Sequence, residues 1–359
     1  MNYEQAANLL ASKNNIALLC HIRPDADTVG SACALKSALE SMGKNVTVFC
    51  ADKMPKRLAF IPEADFTEYS GETTAVPDIC LAEKGIIFSA PDENFLCRLK
   101  TALGSPDILL CAVDVAETHL LGAVGEATDG RIDLKIDHHR LGSPYAAENL
   151  IVPEAAATGE IIFDILKAMP GLGSFGENVS SALYAAISSD TGCFRYSNVT
   201  PKTLKTAAAL IESGAHSYAV SQRLFELKTK EQLSAENALT GLIRYSADGA
   251  IASVTVSNEM KRNLGIDDED ISDLVSLLRQ IEGVRLAVTI KQTAEEKVYK
   301  VSMRSLSEVD ASAICAVFGG GGHRRAAGAT VEADSPEEAE SKVLETAIGF
   351  FSVNGRKPQ

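Results

Sequence analysis

Residues 131–139 read RIDLKIDHH, an apolar, β-branched run that stops on Asp137, His138 and His139. Two more runs have the same build. Residues 16–20, IALLC, lead into HIRPDAD, which carries His21, Asp25 and Asp27, and residues 107–113, DILLCAV, lead into Asp114. Residues 45–51, NVTVFCA, add another strand-like run, and 28–43, TVGSACALKSALESMG, is an amphipathic helix with Gly43 as its stop signal. Strands apolar on both faces that alternate with helices predict a parallel sheet wrapped by helices. In such a sheet the ligand site lies beyond the carboxyl ends of the strands. His21, Asp25, Asp27, Asp114 and Asp137 to His139 all fall at such ends, so strands far apart in sequence are expected to converge on one site. A helical run, 182–190 (ALYAAISSD), delivers Asp190 to the same group.

The chain has only six histidines, and three of them lie in these clusters. Imidazole and carboxylate brought together from several strand ends suit a pair of hard-to-borderline divalent ions. After the first strand, His21 and Asp25 can approach one cation while Asp27 turns toward a neighbour. Gly30 and Ser31 are expected in the opening turn of the following helix, where free N–H groups favour an anion. Each cluster has a plainer reading by itself. The 21–27 stretch can be an ordinary polar loop, and Asp114 and Asp190 can be cap or turn residues. Their joint occurrence favours the metal site.

Composition narrows the setting. A chain of 359 residues suggests two domains, and 46% hydrophobic with 23% charged residues predicts packed cores. The net charge of −14 argues against a protein that grips long duplex DNA through a basic face. A small anionic substrate stays compatible, because bound divalent cations reverse the local field. The eight cysteines form no C-x-x-C pair and several sit in apolar runs, as buried thiols of a reducing compartment do. Residues 1–15 are polar and helix-like, unlike a signal peptide, and no run approaches the ~20 apolar residues of a membrane helix. A cytoplasmic protein without membrane contact is the expectation.

Three domain-level segments follow: residues 1–195, the metal-binding sheet domain; 196–241, a helical linker; and 242–359, a smaller α/β domain. Helical patterns run over 157–169, 178–190, 200–214 and 218–239, the last two forming the connector. Strand patterns then appear at 242–246, 250–257, 284–292 and 297–305, with helical patterns at 268–281 and 335–351. Between them lies 318–328, FGGGGHRRAAG. Its glycines either close a helix and start a strand, or let backbone amides approach a phosphate or sugar where only glycine leaves room. Arg304, Ser305, Arg324 and Arg325 lie nearby in sequence, and an arginine fork suits phosphate. The stretch from about 66 to 104 has weak periodicity and receives no assignment.

HIRPDADTVGS (21–31), VDVAE (113–117), KIDHHR (135–140) and ISSDTGCFRYSNVT (187–200) resemble, in order, the motifs of the DHH phosphoesterase family. VSMRS (301–305) with FGGGGHRRAAG resembles its DHH-associated C-terminal domain. Within the family the chain looks most like the compact nanoRNase/pAp phosphatase group, the NrnA-like proteins. The resemblance implies a two-metal hydrolase of short oligoribonucleotides such as pApA, of the 3′-phosphate of pAp, or of both. It implies two divalent cations, manganese expected and magnesium the alternative. His21, Asp25 and Asp114 would hold one; Asp27, Asp114, His138 and Asp190 would hold the other, with Asp114 shared. Asp137 would orient the histidines and His139 would contact the scissile phosphate. Arg195, Arg304, Ser305, Gly321, Gly322 and His323 would bind the rest of a short RNA or nucleotide. A homodimer fits the family. Departures at Ala26, Thr28, Leu120 and Gly142 spare every ligand position and bear on substrate preference. The competing readings are a RecJ-like single-strand exonuclease or manganese pyrophosphatase on the same metal core, and a catalytically idle nucleotide-binding regulator.

Overall fold

The computed structural model describes residues 1–63, 80–81, 85–88, 93–103, 107–140, 142–271, 273–306 and 309–354. Most of the unassigned stretch from 66 to 104 lies outside them. The chain divides into two compact units, Met1–Leu227 and Lys228–Gln359.

In the first unit the described strands are β1 (Asn15–Leu19), β2 (Asn45–Cys50), β3 (Cys80–Leu81), β4 (Ile86–Phe88), β5 (Ile108–Val113), β6 (Leu134–Asp137) and β7 (Glu148–Ile151). They form one sheet in the order β3-β4-β2-β1-β5-β6-β7. Six strands run parallel, and β3 alone pairs antiparallel, with β4. The helices are α1 (Tyr3–Ser12), α2 (Ala26–Ser41), α3 (Phe60–Glu63), α4 (Glu93–Leu103), α5 (Ala123–Ala127), α6 (Thr158–Ala168), α7 (Glu177–Asp190), α8 (Pro201–Glu212) and α9 (Ser217–Ser221).

The reason for a parallel sheet is visible in β1. Ile16 and Leu18 enter the core beneath α1, α2, α6 and α7, while Ala17 and Leu19 enter the opposite core with Leu99, Leu121 and Val124. A strand buried on both faces needs a helix layer on each side. β1 lies between β2 and β5, pairing Leu19 with Phe49 and with Ala112. β5 pairs Val113 with Ile136 of β6. Consequently the residues following β1, β5 and β6 leave the sheet along one edge.

The second unit has α10 (Lys230–Thr240), β8 (Arg244–Ser246), β9 (Ile251–Val256), α11 (Asn258–Leu264), α12 (Leu274–Leu278), β10 (Leu286–Gln292), β11 (Val298–Ser305), α13 (Ala311–Ala316), β12 (Gly321–His323), β13 (Ala326–Glu332) and α14 (Pro336–Asn354). Its strands form a mixed sheet in the order β12-β13-β11-β10-β9-β8. Only β9 and β10 pair parallel. Alternation separates the faces: Val288, Ile290, Tyr299, Val301 and Met303 enter one core with α13 and α14, whereas Ala252, Val254, Val256 and Ala287 enter another with α11 and α12.

The helical pattern over 218–239, the second part of the connector, is broken. A π-helical turn, Gln222–Glu226, follows α9, and α10 starts afresh at Lys230 behind a capping box on Thr229. The division between the compact units falls at this break, at Leu227/Lys228.

Candidate metal centre

Three strand ends and two helix ends supply the site. His21 and Asp25 follow β1, and Asp25 caps α2 by accepting from the amides of Asp27 (3.0 Å) and Thr28 (3.1 Å). Asp27 is therefore the second residue of α2, fully buried. Asp114 follows β5 in a left-handed conformation, φ +62°, which turns its carboxylate back over the strand end. Thr28 Oγ donates to Val113 O at 2.9 Å and ties α2 to that turn. His138 and His139 follow β6, and Asp190 is the last residue of α7.

These donors converge as two groups that share Asp114. His21 Nε2 lies 3.7 Å from Asp25 Oδ1 and 3.6 Å from Asp114 Oδ2. His138 Nε2 lies 3.8 Å from Asp27 Oδ2, 3.7 Å from Asp114 Oδ1 and 3.3 Å from Asp190 Oδ2. In each of the sets His21/Asp25/Asp114, Asp27/His138/Asp190 and Asp114/His138/His139, the donor atoms fall within 4.8 Å of one another. Donors bonded to one ion at about 2.0–2.2 Å stand roughly 3.0–3.6 Å apart, so this spacing fits a shared cation.

The chemistry of the donors fits as well. Nδ1 of His21 faces the Ile22 carbonyl at 2.8 Å, and Nδ1 of His138 faces the Ala155 carbonyl at 3.4 Å. A carbonyl can only accept, so each Nδ1 carries its hydrogen and each Nε2 is directed at the carboxylates. That is the arrangement metal-ligating histidines adopt. Burial pulls the His21 imidazolium down, yet hydrogen bonds to Asp114 and Asp25 outweigh it and hold the group well above its ordinary pKa. Burial also opposes the charged form of His138, and the Asp190 and Asp114 carboxylates outweigh it. Burial raises the Asp27 carboxyl, and the charges of Asp114 and Asp190 raise it further. A divalent cation displaces such protons and discharges the crowded carboxylates.

Asp137 pairs with His139, whose Nδ1 also lies 3.7 Å from Asp114 Oδ1. Asp137 Oδ1 accepts from the His139 amide at 3.2 Å and meets its Nδ1 at 2.6 Å. Despite burial, which acts the other way, the His139 contact holds the Asp137 carboxyl at about 2.

Some supporting residues carry no sequence motif. Thr158 and Gly159, at the start of α6, donate their amides to the two oxygens of Asp27 at 2.7 and 2.9 Å, and Thr158 Oγ donates to Asp114 Oδ1 at 2.8 Å. The residues that open α6 thus orient two carboxylates. Gly30 and Ser31 do not lie in the opening, anion-favouring turn expected of them; they come after the first turn of α2. Both are buried in α2, where Ser31 Oγ donates to Asp27 Oδ1 at 3.1 Å and Gly30 packs on α7.

Arg195 sits five residues past Asp190, exposed, in a turn where Gly192, Cys193 and Phe194 all have φ near +60°. Its Nε donates to Gly192 O at 2.6 Å, and Asn198 Nδ2 closes the turn on the carbonyls of Asp190 (3.0 Å) and Ala156 (3.1 Å).

The remaining candidates lie in the second unit. Arg304 is half-buried on β11, and Ala326 is its register partner on β13; the next strand, β12, pairs His323 with the same Ala326. The His323 side chain lies outside the described side chains. Ser305 is buried, its hydroxyl within hydrogen-bonding distance of Val309 O (2.7 Å) and Arg324 O (3.2 Å), where it supports the hairpin from beneath. Three of the four glycines answer to backbone demands. Gly319 ends α13 at φ +69°, and a Cβ at Gly320 or Gly322 would collide with the β13 backbone. Gly321 alone among them faces open space at an ordinary φ, which leaves it as the glycine with room for a ligand.

Aspartate and histidine gathered at the strand ends of a parallel sheet are a donor set of the kind metal-dependent hydrolases use. Residues 15–187 match the model of the DHH family, N-terminal domain, and residues 248–352 match the DHHA1 domain. The chain belongs to the DHH family of phosphoesterases and is a hydrolase. It is 29% identical over 339 residues to the bifunctional oligoribonuclease and PAP phosphatase NrnA of Thermus thermophilus, covering 94% of this chain and 90% of the relative. It is 26% identical over 322 residues to NrnA of Bacillus subtilis, covering 89% and 90%. The crystal structure of an exopolyphosphatase-related protein from Bacteroides fragilis shares the fold with a TM-score of 0.84 at 19% identity, over 99% of this chain and 98% of that one. No described helix is long and apolar enough to cross a membrane.

Proposed function

We propose that the protein hydrolyses short oligoribonucleotides, the 3′-phosphate of pAp, or both, at a centre holding two divalent cations. The observation that carries this reading is the pair of donor sets sharing Asp114, each with one histidine whose Nε2 is aimed at carboxylates. Similarity to two NrnA proteins over about nine-tenths of the chain supports the substrate class. His21, Asp25 and Asp114 would hold one cation, and Asp27, Asp114, His138 and Asp190 the other. The mixed imidazole and carboxylate set favours manganese over magnesium.

Bound cations supply Lewis acidity, lowering the pKa of a water and countering charge on the phosphoryl oxygens. The chain's own residues do the remainder. Thr158, Gly159 and Ser31 fix the Asp27 carboxylate, so the donors need no rearrangement during turnover. Asp137 would turn His139 so that its Nε2 meets a phosphoryl oxygen. In the second unit Arg304, Gly321 and His323 would bind phosphate or base, with Gly322 and Ser305 shaping the hairpin, and in the first unit Arg195 is a candidate for the same role, converting binding into orientation.

The test is release of phosphate or mononucleotide with Mn²⁺ from pAp, pApA, a five-nucleotide RNA and pyrophosphate under one set of conditions. Turnover of pAp and the short RNAs is expected, with rates falling as the RNA lengthens. Hydrolysis of pyrophosphate alone, or of none of the four, overturns the substrate class.

A further inference from the structure

Lys135, on β6 two residues before Asp137, is completely buried and lies beside the centre without a part in it so far. A lysine at a buried strand position carries a large desolvation cost unless its three donors are used. Here two of them are, and a carboxylate faces the third side. Nζ donates to Ala116 O at 2.7 Å and Ser143 O at 3.1 Å, and it forms an ion pair with Asp137 Oδ2 at 3.1 Å that lacks hydrogen-bond geometry. The ammonium also rests over the Tyr145 ring, 4.6 Å from its centroid, while the Tyr145 hydroxyl donates to Val115 O at 2.9 Å. Asp137 Oδ1, the other oxygen, faces His139 Nδ1 at 2.6 Å. Lys135, Asp137 and His139 thus form a line running from the interior of the sheet to the centre. Ala116 directly follows the Asp114 turn, so one ammonium ties together the loops that follow β5 and β6.

We propose that Lys135 is a positioning residue for His139: its buried ammonium fixes the rotamer of Asp137, which in turn holds His139 as the Nδ1–H tautomer with Nε2 directed at the substrate phosphate. The inference rests on the hydrolytic reading above for the role of His139, and on geometry alone for the tautomer. β6 makes the line possible because alternate residues of a strand share a face, which puts Lys135 and Asp137 on one side and Ile136 on the other. Simple filling of the core does not call for this arrangement. An apolar residue would fill the site between Tyr145 and the sheet with less desolvation.

The first readout needs no turnover. Histidine nitrogen–proton correlation NMR on the wild-type Mn-free protein, with His139→Asn identifying the signal, is expected to show His139 carrying its proton on Nδ1 in a strongly downfield-shifted hydrogen bond. His139 protonated on Nε2, with Nδ1 lacking a proton, overturns the proposal. The second readout is Lys135→Met, with Lys135→Gln taking its place if the methionine variant does not fold. Loss of the ammonium is expected to shift or broaden the Nδ1 proton. It should also lower kcat on the short RNA about 10–100-fold, the usual effect of losing an outer partner of a catalytic group, with KM and Mn²⁺ affinity unchanged. An unmoved Nδ1 resonance, or a loss confined to melting temperature, overturns it. If the wild-type protein hydrolyses none of the substrates, the functional reading fails while the wild-type NMR result still decides the tautomer.

Discussion

Asp27 has no solvent exposure and lies among Asp114 and Asp190, yet each of its oxygens accepts a backbone amide from α6. Two amide donors and the Ser31 hydroxyl stabilise a carboxylate that burial and its neighbours oppose. Thr158 reaches two of the donor carboxylates, through its amide to Asp27 and its hydroxyl to Asp114. Thr158→Val keeps shape and backbone but removes the hydroxyl; it should weaken Mn²⁺ binding about tenfold while leaving the melting temperature within a few degrees, as calorimetric titration and thermal melts will show. The two histidines set a pH dependence. Their pKa values in the metal-free fold lie above the ordinary ~6.5, so the stability they contribute is complete below about pH 6.5 and is lost as pH rises through the folded values. Mn²⁺ binds the deprotonated rings. The rise in melting temperature caused by Mn²⁺ should therefore grow between about pH 6 and pH 9; a rise independent of pH would count against His21 and His138 as ligands. The donor residues were legible in the sequence because histidine is rare here and each cluster follows an apolar strand. Thr158 and Gly159 were not, because their bonds to Asp27 span more than 130 positions and neither residue type marks chemistry.

At the scale of elements, the placement of Asp190 depends on how closely α7 approaches its neighbours. Gly30 on α2 lies against the Ala182 carbonyl of α7, and a Cβ on Gly159 of α6 would come within 2.6 Å of the Ala186 methyl. Glycine on two helices lets α7 press in so that its last residue reaches His138. Gly30→Ala forces the helices apart at a cost of about 1–3 kcal/mol, lowering the melting temperature by roughly 3–10 °C. It should weaken Mn²⁺ binding too, because Asp190 withdraws; unchanged affinity would show that α7 position does not govern the site. Most strands of the parallel sheet were legible from their apolar runs. β7 was not, since ENLI is short and half-exposed at the sheet edge. β12 escaped too, because GGH carries no strand signal and pairs only through β13. The 218–239 part of the connector has a helical pattern because its polar composition has strong helix propensity throughout. Its interruption comes from the cap on Thr229, a local hydrogen bond that propensity does not register.

For the whole molecule, the net charge of −14 has to be reconciled with the anionic substrates proposed above. On that proposal, bound cations and a few placed arginines would offset the charge locally, and short substrates would fit better than long strands that meet the acidic surface. The two-unit organisation was visible in the switch from strand–helix alternation to helices and then to short alternating strands, although 196–241 is shared out between the compact units at Leu227/Lys228. The account turns on Asp114 serving two cations at once. Calorimetric titration of metal-free wild-type protein with Mn²⁺, repeated on Asp114→Asn, tests that most directly. Two ions per chain for the wild type, with loss of both high-affinity sites in the variant, is the predicted result. One ion or none for the wild type, or two ions retained without the Asp114 carboxylate, would contradict it.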